Sequence, residues 1–206
     1  MKAKATNGNG KRHATQQSVN SAVKSICDIM RRSNCAGALQ YVPELTWILF
    51  LRILDERETR EAEEADAVDS EFAPSLAAPY RWQDWAAPDG TKRKELQDGA
   101  LGAFFGFVNG ELIPLLKKLR AQPNATPRQK VISEIFSGVE RTRIDTERNF
   151  LDVLDKVNEI SAESVDPTHV FRFRRCMKDC CSKWARRATT AASFSRHAKS
   201  SARWCG

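Results

Sequence analysis

Apolar positions recur at helical spacing along most of this chain. Val19, Val23, Ile26 and Met30 follow steps of four, three and four, which aligns them on one helix face, with Ser18 at the expected N-cap. From Tyr41 to about Ala65 the order Leu45, Ile48, Leu49, Arg52 and Leu54 gives way to an acidic run, so this helix should start buried and end solvated. Pro43 suits its first turn, where a missing N–H is not needed. Leu96 to Val108 reads as one amphipathic piece containing several glycines. Glu111 to Leu119 reads as another, with Leu112, Ile113, Leu115, Leu116 and Leu119. Thr126-Pro127-Arg128-Gln129 has the form of a capping box and should open a helix carrying Val131, Ile132, Ile135 and Phe136. The last clear helix spans Thr146 to Ile160, with Phe150, Leu151, Leu154, Val157 and Ile160 on one side. No segment alternates with period two for long enough to predict a strand. The expected fold is all-α, an irregular helical bundle between a disordered N-terminal arm and a disordered C-terminal tail.

The pattern lapses between Asp66 and Gly90, where Pro74, Pro79 and Pro88 are too closely spaced for a long helix. Within that loop Tyr80-Arg81-Trp82-Gln83-Asp84-Trp85 concentrates aromatic surface. Leaving it wet would be costly, so it should dock back onto the helices.

Composition sets the two ends apart from this body. Residues 1–17 lack apolar periodicity and any signal-like hydrophobic centre, and read as a mildly basic arm. Arg172 to Gly206 holds ten Lys/Arg against the single acid Asp179, four of the six cysteines, and no Leu, Ile or Val. Without aliphatic side chains it has little to bury against the entropy of ordering its backbone. The first 171 residues carry 23 basic and 25 acidic side chains, so the overall charge of +7 belongs to the tail. The longest apolar run, Trp47 to Leu51, is far short of a membrane span. A cytoplasmic, membrane-free protein with reduced thiols is expected. The implied domains are an arm at 1–17, a helical domain at 18–165, and a connector with tail at 166–206.

Candidate chemistry is sparse. Gly99-Ala-Leu-Gly102-Ala-Phe-Phe-Gly106 has the wrong spacing for a dinucleotide loop and no preceding strand, so its glycines are read as allowing close helix packing. His13, His169 and His197 lie too far apart in sequence to suggest a triad. The carboxylates from Glu56 to Asp69 read as a solvated helix face. Cys176, Cys180, Cys181 and Cys205 could bind zinc, but their spacing matches none of the usual ligand pairings, and no metal is assigned.

Three parts of the body carry a resemblance. The run Ser18 to Glu58, the segment Pro79-Tyr-Arg-Trp-Gln-Asp-Trp-Ala86, and Val108-Asn-Gly-Glu-Leu-Ile-Pro-Leu-Leu-Lys117 are similar to the N-terminal helical domain of type I restriction-modification methyltransferase (modification) subunits. Pro127 to Phe136 and Phe150 to Ile160 extend the likeness, which runs to about Phe171. The resemblance implies a DNA-clamping and subunit-assembly domain of an adenine-N6 DNA methyltransferase. The implied partners are a specificity subunit, a second modification subunit, the restriction subunit and double-stranded DNA. S-adenosylmethionine would be the cofactor of the intact protein, but the F-x-G-x-G and N-P-P-[FY] motifs of the family's catalytic domain are missing, so no cofactor is expected in this chain and no catalysis from it alone. Lys11, Arg12, Arg31 and Arg32 are the candidate contacts to phosphate, positioning DNA without reading it.

The likeness stops where the tail begins. Codons permitted for Arg172 to Gly206 can be chosen so that a shifted frame reads L-S-Q-V-Y-E-G-L-L-L-K-M-G-E-K-G-N-D-G-G-Q-F-F-T-P-R, a string similar to the family's continuation. The tail is accordingly expected to be a frameshift product, truncating the protein before its catalytic domain. The alternative is a free-standing nucleic-acid-binding protein that works through the basic tail at 172–206, with Trp184 and Trp204 stacking on bases.

Overall fold

The computed structural model describes residues 16–33 and 38–160. They lie within one compact unit, Met1–Ser164; the second unit, Val165–Gly206, falls outside the described residues, as do residues 1–15. The readings of the far N-terminal arm, the tail, its zinc and its frameshift therefore concern residues outside that range.

The all-α expectation holds: the described residues form eight α-helices and no strand. Helix α1 (Gln16–Arg32) buries Val19, Val23, Ile26 and Met30 as their spacing predicts, and packs against α8 (Glu147–Asn158). It already includes Gln16, so Ser18 is inside the helix rather than at its cap. Helix α2 (Ala38–Ala67) begins three residues before the expected Tyr41, which moves Pro43 beyond the first turn and leaves one backbone carbonyl without its helical donor. From Glu44 to Leu54 only Thr46 is exposed, with Leu45, Trp47, Ile48, Leu49, Leu51 and Leu54 buried, whereas Gln40 and Pro43 before that stretch face solvent. Its end is closed by Asp69 at φ 53°, with Ser70 N–H donating to Ala65 O at 2.9 Å and Asp69 N–H to Asp66 O at 3.2 Å, the paired bonds of a Schellman stop.

The proline-rich connection docks as its aromatic content requires. Trp82 and Trp85 sit on the one-turn helix α3 (Trp82–Trp85) and are 2% and 0% exposed. Tyr80 stacks on Phe107 with centroids 5.8 Å apart. Gly90 then lets the chain pass close to α3, since a Cβ there would lie 2.4 Å from the Asp84 carbonyl oxygen. Helix α4 (Thr91–Asp98) follows.

The next two expected helices are divided in a different place. The chain breaks at Gly99–Gly102, where Gly102 takes φ 88°. From there α5 (Ala103–Phe107), a π-turn (Val108–Leu112), α6 (Ile113–Lys118) and a 3-10 turn (Leu119–Ala121) run on without a loop. Apolar spacing concealed the break because Leu96, Phe104 and Val108 keep helical register across it. The expected boundary near Gly110 is only a widening: Ile113 N–H reaches back to Val108 O, directly before Pro114, whose ring would crowd an ordinary α-turn. The close-packing reading of the glycines holds only at Gly99, where a Cβ would lie 3.3 Å from Glu95 O and 3.4 Å from Ala103 Cβ, and is corrected at the other two. A Cβ on Gly102 or Gly106 would meet nothing within 4 Å, so Gly102 serves its left-handed backbone instead.

Helix α7 (Pro127–Phe136) opens on the predicted capping box: Gln129 N–H donates to Thr126 Oγ1 at 3.2 Å and Thr126 N–H to Gln129 Oε1 at 2.9 Å. Val131, expected in its core face, is 55% exposed, and Ser133 is buried instead with its hydroxyl donating to Lys117 O at 2.5 Å. On α8, Val153 is buried where Leu151 was expected, and Leu151 is half-buried. Ring contacts run through the centre from Trp82 to Trp85, Phe104, Phe150, Trp47 and Phe136, so residues from five helices share one aromatic core.

Candidate nucleic-acid interface

Of the cations chosen from sequence, Arg31 and Arg32 are among the described residues. Lys11 and Arg12 lie outside them. Arg31 and Arg32 occupy the last turn of α1, where positive charge offsets the carbonyl end of the helix. Arg31 is committed locally: it pairs with Asp28 and donates from Nε to Cys27 O at 3.3 Å. Arg32 is exposed and has no carboxylate partner among the described residues.

A basic segment that sequence reasoning missed lies between α7 and α8. Along Arg141-Thr142-Arg143-Ile144 exposure alternates, the arginines outward and Thr142 and Ile144 inward at 6% and 2% exposed. Inward anchors from two elements hold it. Thr142 N–H donates to Asn109 Oδ1 at 2.8 Å, from the π-turn, and the Thr142 hydroxyl donates to Glu44 of α2 while accepting from Ile144 N–H at 3.3 Å. At its exit Glu147 accepts from Phe105 N–H at 3.2 Å. Arg141 and Arg143 both line the two clefts beside the segment. One is about 450 Å³ and reaches Gln40, Phe105 and Asn109; the other, about 400 Å³, reaches Pro43, Glu44 and Trp47. The signal available in the sequence was the short Arg-x-Arg alternation between two helices, too brief to register as a strand.

Glu44 is the buried half of this arrangement. It is 2% exposed, and burial pushes its carboxyl above the usual range, while the Thr142 hydroxyl and the backbone and charge of Arg143 pull it back. Asp55, also on α2, is raised by burial too, against bonding from Gln83 and the charges of Arg52 and Arg81. Both acids tie elements together.

The acidic run on α2 is only partly a solvated face. Glu58 is 6% exposed and accepts from Ser75 N–H through both oxygens, at 3.2 and 3.1 Å. Arg128 of α7 reaches Glu58 at 3.2 Å and grips Glu61 with both guanidinium nitrogens, at 2.7 and 2.9 Å. The run thus anchors the proline-rich connection and α7, a role that depends on residues remote in sequence. No group of three metal-ligating side chains occurs among the described residues, and all three histidines lie outside them. No helix among the described residues is long and apolar enough to cross a membrane.

Comparison with known proteins gives a consistent answer. The HsdM N-terminal domain family matches residues 19–157. The chain is 32% identical over 156 residues to the type I restriction enzyme EcoEI methylase subunit of Escherichia coli, covering 75% of this chain and 29% of that protein. A crystal structure of a modification subunit of a putative type I restriction enzyme from Vibrio vulnificus YJ016 superposes with a TM-score of 0.63 at 29% identity, over 90% of this chain and 38% of that one. A chain from a structure concerning complex assembly and conformational transition of the type I R-M system gives a TM-score of 0.58 at 33% identity, over 82% of this chain and 30% of that one.

Proposed function

Because the chain belongs to the HsdM N-terminal domain family of type I modification subunits, we propose that its helical body works as the part that assembles with other subunits and closes on duplex DNA, and not as the part that transfers the methyl group. The observation that carries this reading is the extent of the match. The family covers residues 19–157, which takes in nearly all of the described helical body.

S-adenosylmethionine belongs to the intact subunit on this reading. The run Gly99 to Gly106 does not fit a cofactor loop: it forms a left-handed turn at Gly102 and the start of α5, which buries Phe104 in the aromatic core, and no strand among the described residues feeds it. The proposed partners are a specificity subunit, a second modification subunit, the restriction subunit and double-stranded DNA, in the cytoplasm. Lys11, Arg12, Arg31 and Arg32 stay proposed as phosphate contacts. The same reading takes 166–206 as a connector and frameshifted tail.

Co-expression with the cognate specificity subunit tests the reading. The chain should co-purify with it, and removing Arg172 to Gly206 should leave that association intact. The rival reading, nucleic-acid binding through the tail, expects no association and a loss of DNA affinity on the same deletion. Methyl transfer from labelled S-adenosylmethionine by this chain alone would overturn the non-catalytic assignment.

A further inference from the structure

We propose that the Arg141–Arg143 segment is a preset contact for two neighbouring phosphates of duplex DNA, and that Glu44 and Asn109 act through Thr142 as its positioning residues. The inference rests on the DNA-closing role proposed above and assigns it a place.

Four observations carry it. First, the arginines are two residues apart on a non-helical segment, so their Cα atoms are at most about 7 Å apart. That is comparable with the separation of successive phosphates on one strand. Second, both face solvent and line the same two clefts, while the residues between and after them point inward. Third, most described arginines are tied to carboxylates, among them Arg31, Arg52, Arg81, Arg93, Arg120 and Arg128. Arg141 has no carboxylate partner among the described residues. Fourth, the anchoring is built of buried polar groups, since Glu44 and Thr142 are 2% and 6% exposed. Burying a carboxyl is unfavourable, and here its Thr142 bond fixes a surface loop. The flanking acids Glu140 and Asp145 limit the segment's net charge. They cancel the two arginines over 140–145, so the contact depends on the outward placement of the guanidinium groups and not on net charge.

The experiment titrates a fluorescent duplex of arbitrary sequence with the full chain over a range of salt concentrations. Each phosphate contact contributes about 0.9 to the slope of log affinity against log salt, so Arg141→Ala/Arg143→Ala should lower that slope by about two and weaken binding roughly tenfold. Arg57→Ala/Arg60→Ala, on the acidic helix, serves as the charge-matched control and should leave the slope unchanged. Thr142→Ala should weaken binding several-fold with both arginines present, and Thr142→Ser should restore it. An unchanged slope in the double variant overturns the inference and leaves the family reading standing. Absence of salt-dependent duplex binding by the unaltered chain overturns both the inference and the DNA-closing role.

Discussion

The indole N–H of Trp82 donates to Asn158 Oδ1 at 2.9 Å, joining residues 76 positions apart. Nearby, Arg93 pairs with Asp155 at 2.7 Å and donates to Ala86 O at 2.6 Å. Through these bonds the connection after α2, which has no periodicity of its own, is fixed to α8. Trp82 buries both an apolar surface and a satisfied polar tip, whereas Arg93 keeps its Nε buried without a hydrogen-bond partner among the described residues.

Replacing Trp82 tests how much that attachment matters. Trp82→Ala should cost about 3–5 kcal/mol by removing a fully buried ring. Trp82→Phe should cost less, about 1–2 kcal/mol, for the lost donor and the smaller volume. Urea unfolding followed by circular dichroism measures both; equal losses would mean that ring volume contributes nothing beyond the hydrogen bond.

Glu44 gives stability a pH dependence of defined sign. Its folded carboxyl is raised by burial, so its contribution is fully present at low pH, where folded and unfolded chains are both protonated. As pH rises through the usual carboxylate range the unfolded chain ionises first, and stability is lost until the raised folded value has been passed. Glu44→Gln keeps a neutral acceptor for Thr142 and should therefore be the more stable form at neutral pH, with the difference vanishing in acid. Thermal melts at several pH values read this directly.

Glu61 has the opposite sign. The two-pronged Arg128 contact holds its carboxyl below the usual range, so its stabilisation is present at neutral pH and is lost as pH falls through that depressed value. Arg128→Lys cannot reproduce the fork and should cost about 1 kcal/mol or less, because the pair is partly exposed. That cost should shrink in acid, measured again by denaturant unfolding.

Two glycines in neighbouring turns should respond in opposite directions. Gly102→Ala places a side chain at φ 88° and should destabilise by about 1 kcal/mol, although the surrounding space is empty. Gly106→Ala sits in helical backbone, also with nothing within 4 Å, and should stabilise by up to about 1 kcal/mol. Loss of stability in both variants would show that the glycines are kept for packing after all.

The chain's own order of residues determined the helical class, most of the core of α1 and α2, and the Thr126–Gln129 start of α7, because spacing and capping act within a few residues. It also carried the family likeness, through runs such as Tyr80 to Trp85. Tertiary structure decided what depends on distant partners. Glu58 is buried because Ser75 and Arg128 reach it, and Arg141 and Arg143 face outward because Asn109 and Glu44 hold Thr142 inward. The helix break at Gly102 belongs to the same class: apolar spacing continues across it, and only the folded backbone fixes which glycine turns left-handed. Local periodicity reports which face of an element is apolar, whereas the partner of a buried polar group is set by chain segments far away in sequence.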